Sequence, residues 1–462
     1  MRFWRPFLGI VFVCVLLLGC ATIQNAPVNV AGTPANLSDT LSLNFEESAV
    51  ADSTVIGLSF SGGGTRAAAY SFGVLSELER IPVRGAGGPM IDHLEFISSV
   101  SGGSVTAAYF GLKKRAGLAD FREKFLLRNA EEDLQTNLNL ATLSRAFAGG
   151  VNDSTGFPRW LDANLFDGAT FAQFRTEKPR VWINASDIYN RTPFVFGAVT
   201  FDAICSDLAK YPLSEAVAAS AAVPVAFAPV VIQSFPTKCD RPLPSWVERV
   251  RNNKNAPPLL AGFANAINNY HDGAVPFIKL LDGGLVDNFG LSGFTIARLS
   301  SETPYGPLNP KQAVKLRRAL FLVVDASARG PSPEWIQTVE GPRGADLVRA
   351  STDTVLGASV AGSFTAFNST VNDWQAALVR WRCGLSSAER IKYGAGPGWN
   401  CRDIKFFVGR LGFDQLDPAR SATLETVPTR FRLSPEQVDN VIEAGRDTLR
   451  NSTVFKSFAA SL

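Results

Sequence analysis

The sequence predicts an α/β fold with a mainly parallel sheet covered on both faces by helices. Three observations carry this. Short apolar runs recur along the chain, several are followed by small-residue or amphipathic helical patterns, and the composition is that of an ordinary globular protein. Of 462 residues, 46% are hydrophobic and 19% charged, enough for one large domain plus an extension. "TVIGLSF" (54–60) reads as the first strand. In "SGGGTRAAAYSFGVLSELERIP" Ala67, Tyr70, Val74, Leu75 and Leu78 then recur at helical spacing until Pro82. "LEFISSV" (94–100) is a second strand with the helix "SVTAAYFGLKKR" behind it. "RVWINAS" (180–186), "FIKLLD" (277–282) and "ALFLVVDAS" (319–327) follow as strands. Strands interleaved with helices imply crossover connections and a sheet buried on both faces.

Past residue 330 the texture changes. Residues 343–380 are rich in Ala, Ser and Thr and read as helical, "IKFFVGRL" reads as one more strand, and Ser434, Pro435 and Gln437 open a last helix with a capping box. The expected organisation is a targeting segment over 1–19, a tether over 20–50, a catalytic domain over 51–330 and a mostly helical C-terminal extension over 331–462 packed on it.

The first twenty residues carry the targeting signal. Arg2 and Arg5 precede "FLGIVFVCVLLLG", an apolar stretch too short to span a bilayer comfortably. The segment ends in Leu17-Leu18-Gly19-Cys20, which resembles the lipobox of bacterial lipoproteins, where the cysteine is acylated and becomes the new N-terminus. Ala21 follows, so no aspartate-type inner-membrane retention signal is present. The expectation is an outer-membrane lipoprotein facing the periplasm, held by acyl chains on Cys20. Losing Arg2 and Arg5 with the leader removes two positive charges from a net of +3, and no concentrated basic face suggests nucleic-acid binding. Of the six cysteines, four remain after Cys14 and Cys20, namely Cys205, Cys239, Cys383 and Cys401. Three pairings are open; Cys205–Cys239 with Cys383–Cys401 closes the shortest loops. Zinc suits these residues poorly, because no C-x-x-C spacing occurs.

The chemistry gathers where strands end. "SSVSGGS" (98–104) places four serines and two glycines at a strand-to-helix turn. A nucleophile elbow demands small neighbours there and normally reads G-x-S-x-G. Here the stretch is Ser99-Val100-Ser101-Gly102-Gly103, with Ser99 in place of the first glycine. Ser101 is the candidate nucleophile; the bland alternative is a Ser/Gly-rich helix cap. "SFSGGGTRAAA" likewise follows a strand. Its consecutive glycines expose backbone N–H groups, as an oxyanion hole requires. A phosphate loop would need a lysine that is missing, and a dinucleotide fingerprint would need glycine where Ala67 stands. Arg66 is a candidate to meet a phosphate head group or to pair with a carboxylate.

Histidine counting shapes the choice of base. The chain has two histidines. His93 lies ~26 Å from Ser101 along one extended segment, and His271 precedes the candidate acids, out of order for an α/β-hydrolase triad. Aspartate offers a base instead. D-G-[AG] occurs at Asp167, Asp272 and Asp282, and only Asp282-Gly283-Gly284 directly ends an apolar strand. Partial burial would raise the carboxylate's pKa toward a useful range.

"SGGGTRA", "SVSGG" and "DGGLVDNFG", in this order, together with "AVAASAAVPVAFAPV" (216–230), resemble the patatin-like phospholipases and their cytosolic phospholipase relatives. The resemblance covers about residues 54–330. It implies a three-layer α/β/α fold and hydrolysis of acyl esters in lipids by a Ser–Asp dyad. Ser101 would attack, Asp282 would act as base, and Gly62, Gly63 and Gly64 would supply the oxyanion hole. No metal or organic cofactor is implied. Phospholipid or another acyl-ester lipid is the expected substrate. An acyltransferase using the same dyad and a non-catalytic lipid-binding lipoprotein are the alternatives. Ser99 and Ala67 depart from the family pattern, while Arg66 matches the cytosolic phospholipase version. Trp246 with Arg249, Arg251 and Lys254 forms a further candidate face for anionic lipid.

Overall fold

The computed structural model describes residues 23–32, 54–83, 88–132, 134–135, 145–146, 149–174, 178–238, 242–328 and 333–462. The candidate leader and Cys20 therefore lie outside the described residues, as do Cys239 and residues 33–50 of the expected tether.

Among the described residues eight strands form one mixed sheet: β1 (Thr54–Phe60), β2 (Leu94–Val100), β3 (Arg180–Asp187), β4 (Thr192–Phe196), β5 (Val230–Gln233), β6 (Phe277–Asp282), β7 (Arg318–Asp325) and β8 (Lys405–Gly412). Their order is β5-β6-β3-β2-β1-β7-β8, with β4 paired to β3. β3, β2, β1, β7 and β8 run parallel, whereas β4, β5 and β6 join antiparallel.

The near-continuous apolar runs have a simple cause. Alternate side chains enter two separate cores. Ile56, Leu58, Ile97, Leu320 and Leu322 pack on one face, and Val55, Phe96, Phe321 and Val323 on the other, as the period of two requires. The first face is covered by α1 (Gly64–Arg80), α2 (Gly102–Lys113), α3 (Leu213–Ser220) and α7 (Pro435–Asn451). The second is covered by α5 (Ser292–Ser300) and α6 (Ala345–Gly384), the latter through Phe367, Val371, Trp374 and Leu378 at helical spacing. A further helix, α4 (Pro258–His271), lies against β4. The fold is three-layer α/β/α.

The C-terminal region enters this architecture rather than resting outside it. β8 extends the parallel sheet beside β7, and α7 crosses α1 at a glycine pair. A Cβ on Gly73 would stand 2.1 Å from Ile442 O, and one on Gly445 2.3 Å from Tyr70 O, so both positions require the bare backbone. Tyr70 Oη donates to Thr448 Oγ1 at 2.7 Å, and Arg450 reaches both Glu77 oxygens at 3.0 and 2.9 Å. Cys383 and Cys401 are joined by a disulfide. Cys205 is buried and disulfide-bonded.

Residues 23–32, within the expected tether, are fastened to the domain by backbone and side-chain hydrogen bonds. Asn29 donates to Gln233 O at 2.8 Å and accepts from Gln233 N at 2.9 Å, while Ser154 N donates to Gln24 O at 3.3 Å. On the candidate lipid face Trp246 is half-buried, while Arg249, Arg251 and Lys254 are exposed. The Trp246 ring stacks on Phe263 with centroids 6.3 Å apart, and Arg249 and Arg251 bond Ser300 O and Asn268 Oδ1. No helix among the described residues is long and apolar enough to cross a membrane.

Candidate active site

The register of β3 builds the site. Its Ser99- and Val100-facing residues, Ile183 and Asn184, pair with β2. From Ala185 onward the partner is β6, with Ala185 opposite Asp282, Ser186 opposite Leu281 and Asp187 opposite Leu280. β4 occupies the opposite edge over Ile183–Asp187. β6 therefore continues along the edge that β2 leaves, running the other way. The two strands meet end to end, and the residues at their meeting ends are Ser101 and Asp282. Asp282 thus lies at the carboxyl end of β2 beside the Ser101 turn, reached by an antiparallel strand that comes in from beyond that end.

Ser101 sits at the turn itself with φ 53° and ψ −124°. A non-glycine residue in this region is strained by about 1–3 kcal/mol and persists only where its surroundings hold it. Glycines make room for the bend. A Cβ on Gly102 would lie 1.9 Å from Gly64 O, and one on Gly103 2.6 Å from Ser61 O. Ser99 is accommodated because its hydroxyl has partners: it donates to Trp182 O at 3.0 Å and lies 3.1 Å from Ser104 Oγ. Asn184 Nδ2 donates to Ser99 O at 2.9 Å and to Ser98 Oγ at 3.0 Å.

Asp282 is 6% exposed and Ser101 4%. Burial pushes the Asp282 carboxyl up to about 6, opposed by the Gly284 N–H, which hydrogen-bonds the carboxylate, and by the neighbouring Ser101 side chain. The Gly284 N–H lies 2.8 Å from Oδ1. Gly283 must be glycine at this junction, since a Cβ would stand 2.4 Å from Asn184 O and 3.0 Å from Val100. The turn is fixed from outside too: Asp282 N donates to Ala222 O at 2.8 Å and Gly283 N to Ser220 O at 3.1 Å.

The glycine loop between β1 and α1 lies over Ser101. A Cβ on Gly62 would come 3.3 Å from Ser101 Cβ and 2.5 Å from Asn288 Oδ1. Gly62's own N–H, however, donates to Asn288 O at 3.2 Å, and Thr65's to Arg430 O at 2.8 Å. The free amide donors of the loop thus narrow from three glycines to Gly63 and Gly64, whose N–H groups make no hydrogen bond among the described residues. Both adopt positive φ, 139° and 60°, a backbone region that glycine enters without steric cost.

Arg66 corrects the expectation of a head-group ligand. It is 3% exposed, its Nε donates to Ala326 O at 2.9 Å, and its Nη1 donates to Val427 O. Burial pushes its pKa down to about 10 against the pull of Glu425 and Asp325. The guanidinium braces the start of α1 against two segments of the C-terminal half. The residues missed by sequence reasoning are Ser220, Asn184 and Asn288, which contact the turns from three other elements. Their only signal was small or amide side chains inside otherwise apolar segments.

The patatin-like phospholipase family model matches residues 58–295, slightly over half of the chain. Among solved structures, human GIVD cytosolic phospholipase A2 is similar at 9% identity and a TM-score of 0.45, the match covering 93% of this chain and 66% of that one. VipD from Legionella pneumophila is similar at 12% identity and a TM-score of 0.32, over 88% of this chain and 67% of that one. The chain thus spans just under two thirds of the length of the first of these structures. No curated protein matches. With its strand–glycine–helix, serine-turn and DGG segments all inside the matched region, the chain belongs to the patatin-like phospholipase family.

Proposed function

We propose that the protein is a serine lipid acyl hydrolase that cleaves carboxylic esters of phospholipids or related lipids through an acyl-enzyme. The observation that supports the reading is the end-to-end meeting of β2 and β6, which brings the turn carrying Ser101 beside the strand end carrying the buried Asp282. Asp282 accepts the Ser101 proton as the hydroxyl oxygen attacks the ester carbonyl. The Gly63 and Gly64 amides stabilise the resulting oxyanion, with the N-terminal dipole of α1 behind them. As the tetrahedral intermediate collapses, the proton passes from Asp282 to the leaving alkoxide, releasing an alcohol such as a lysolipid. Water then gives its proton to Asp282 and attacks the acyl-enzyme; collapse releases the fatty acid, and Ser101 regains its proton. A carboxylate raised to about 6 is a better proton acceptor than an ordinary aspartate and is still ionised at neutral pH.

The same proposal places the protein on the bacterial outer membrane, facing the periplasm, through acylation of Cys20. A lipoprotein anchor would keep the domain at the surface of its substrate. The test is fatty-acid release from phospholipid vesicles by wild type, Ser101→Ala and Asp282→Asn, with and without an added alcohol acceptor. Free fatty acid from wild type alone supports the hydrolase. Ester formed on the acceptor in preference to free acid would reassign the enzyme as an acyltransferase. Radiolabelled palmitate incorporated into wild type and not into Cys20→Ala would support the anchor.

A further inference from the structure

Helix α3 ends against both turns of the site. The last carbonyls of any α-helix lack intrahelical donors. In α3 and the residues just past it, two such carbonyls are taken by the acid turn: Ser220 O by Gly283 N–H at 3.1 Å and Ala222 O by Asp282 N–H at 2.8 Å. The Ser220 side chain serves the other turn. Its Oγ accepts the Ser101 N–H at 2.8 Å and donates to Asn184 O at 2.6 Å. It also lies 3.0 Å from Ser104 Oγ. Ser220 is fully buried, so no water is at hand to replace these bonds.

We infer that Ser220 is a positioning residue, a single side chain and carbonyl that lock the nucleophile turn to the acid turn and set the approach of Ser101 to Asp282. The inference rests on the Ser–Asp reading above. Its physical basis is the strain at Ser101. A serine at φ 53° needs its backbone held, and Ser220 Oγ is the acceptor for that residue's own amide. The neighbouring elements agree. Asn184, whose carbonyl receives the Ser220 proton, is the last β3 residue paired to β2, and Ala185 is the first paired to Asp282. Ser220 thus sits at the junction of β2, β3 and β6, anchored to each. Removing the hydroxyl frees a buried N–H at the strained residue and lets the serine oxygen drift, and a misplacement of about 1 Å costs roughly a hundredfold in rate.

The test compares Ser220→Ala, Ser220→Thr and Ser104→Ala with wild type on a soluble monomeric ester, reading kcat, KM, the pH profile and Tm. In Ser220→Ala, kcat should fall about ten- to a hundredfold with KM within about twofold. The acidic limb of the profile should move to higher pH, because the Ser101 side chain, whose proximity lowers the Asp282 pKa, drifts away. Ser220→Thr, which keeps the hydroxyl, should recover most of the rate. Ser104→Ala, which leaves the Ser101 N–H bonded, should stay near wild type. If Ser220→Ala does not fold, Ser220→Cys, similar in volume but a poor acceptor, is judged by the same readouts. Turnover within twofold of wild type in a folded Ala or Cys variant overturns the inference. So does a loss with the acidic limb unmoved, which would mark a purely structural role. Ser101→Ala retaining turnover would instead overturn the dyad, and is scored separately.

Discussion

Val100 and Asp282 stand on consecutive rungs of one edge of β3, opposite Asn184 and Ala185. Two strands that run in opposite directions share that edge, and the chemistry lies at the joint between them. The first prediction concerns what this does to the carboxylate. Asp282 must be ionised to accept a proton, and its pKa is pushed up to about 6. On a soluble ester, kcat/KM should rise with pH to a plateau, with an apparent pKa near 6 rather than near 4.

The same shift has a cost in stability. A carboxyl whose pKa is higher folded than unfolded contributes most when protonated, and that contribution is lost as pH rises from about 4 through about 6. Replacement by Asn keeps an acceptor for the Gly284 N–H and removes the titration. Asp282→Asn should therefore be more stable than wild type by about 2–3 kcal/mol at pH 7.5 and nearly equal at pH 4. Urea titrations at the two pH values check this; equal differences at both would refute it.

Arg66 is a brace between segments. Arg66→Met strands Ala326 O and Val427 O without donors and should lower stability by about 3 kcal/mol or more. Residual activity should show unchanged preference between anionic and zwitterionic vesicles. A selective loss on anionic lipid with normal Tm would restore the head-group role.

Gly102→Ala tests the contact between the two helix starts. The added methyl meets Gly64 O at 1.9 Å, a backbone atom that cannot yield without moving the glycine loop. Destabilisation of about 3 kcal/mol is expected, with loss of turnover larger than the melting shift alone explains. Differential scanning fluorimetry beside an ester assay separates the two effects.

Asn29→Ala removes the side chain that latches residues 23–32 to β5. Asn29 is buried and bonds Gln233 twice and Ser206 once, so the substitution should lower stability by about 1–3 kcal/mol. Turnover of a soluble ester should be unchanged, which a side-by-side melting and kinetic measurement decides.

Much of this was legible in the sequence. Six of the eight described strands followed from apolar runs, while β4 and the short β5 were missed, and Ser101 and Asp282 stood out because each ends a strand beside glycines. The direction of β6 was not legible: "FIKLLD" reads the same whether it pairs parallel or antiparallel, and only the β3 register decides. Arg66 was misread because an arginine after glycines looks alike whether it faces solvent or a buried carbonyl. Its acceptors, Ala326 and Val427, lie 260 and 361 residues away. Residues 23–32 look like linker by composition, yet several backbone bonds and one buried amide side chain dock them. Ser220 sat in a run of alanines whose helical period hides which small side chain bears a hydrogen bond.

The most direct test of the central claim is labelling by a fluorophosphonate, followed by peptide mapping. The account predicts one adduct, on Ser101, whose rate of formation rises with an apparent pKa near 6 and collapses in Asp282→Asn. An adduct on another residue, or an undiminished rate in the folded Asp282→Asn protein, would contradict it.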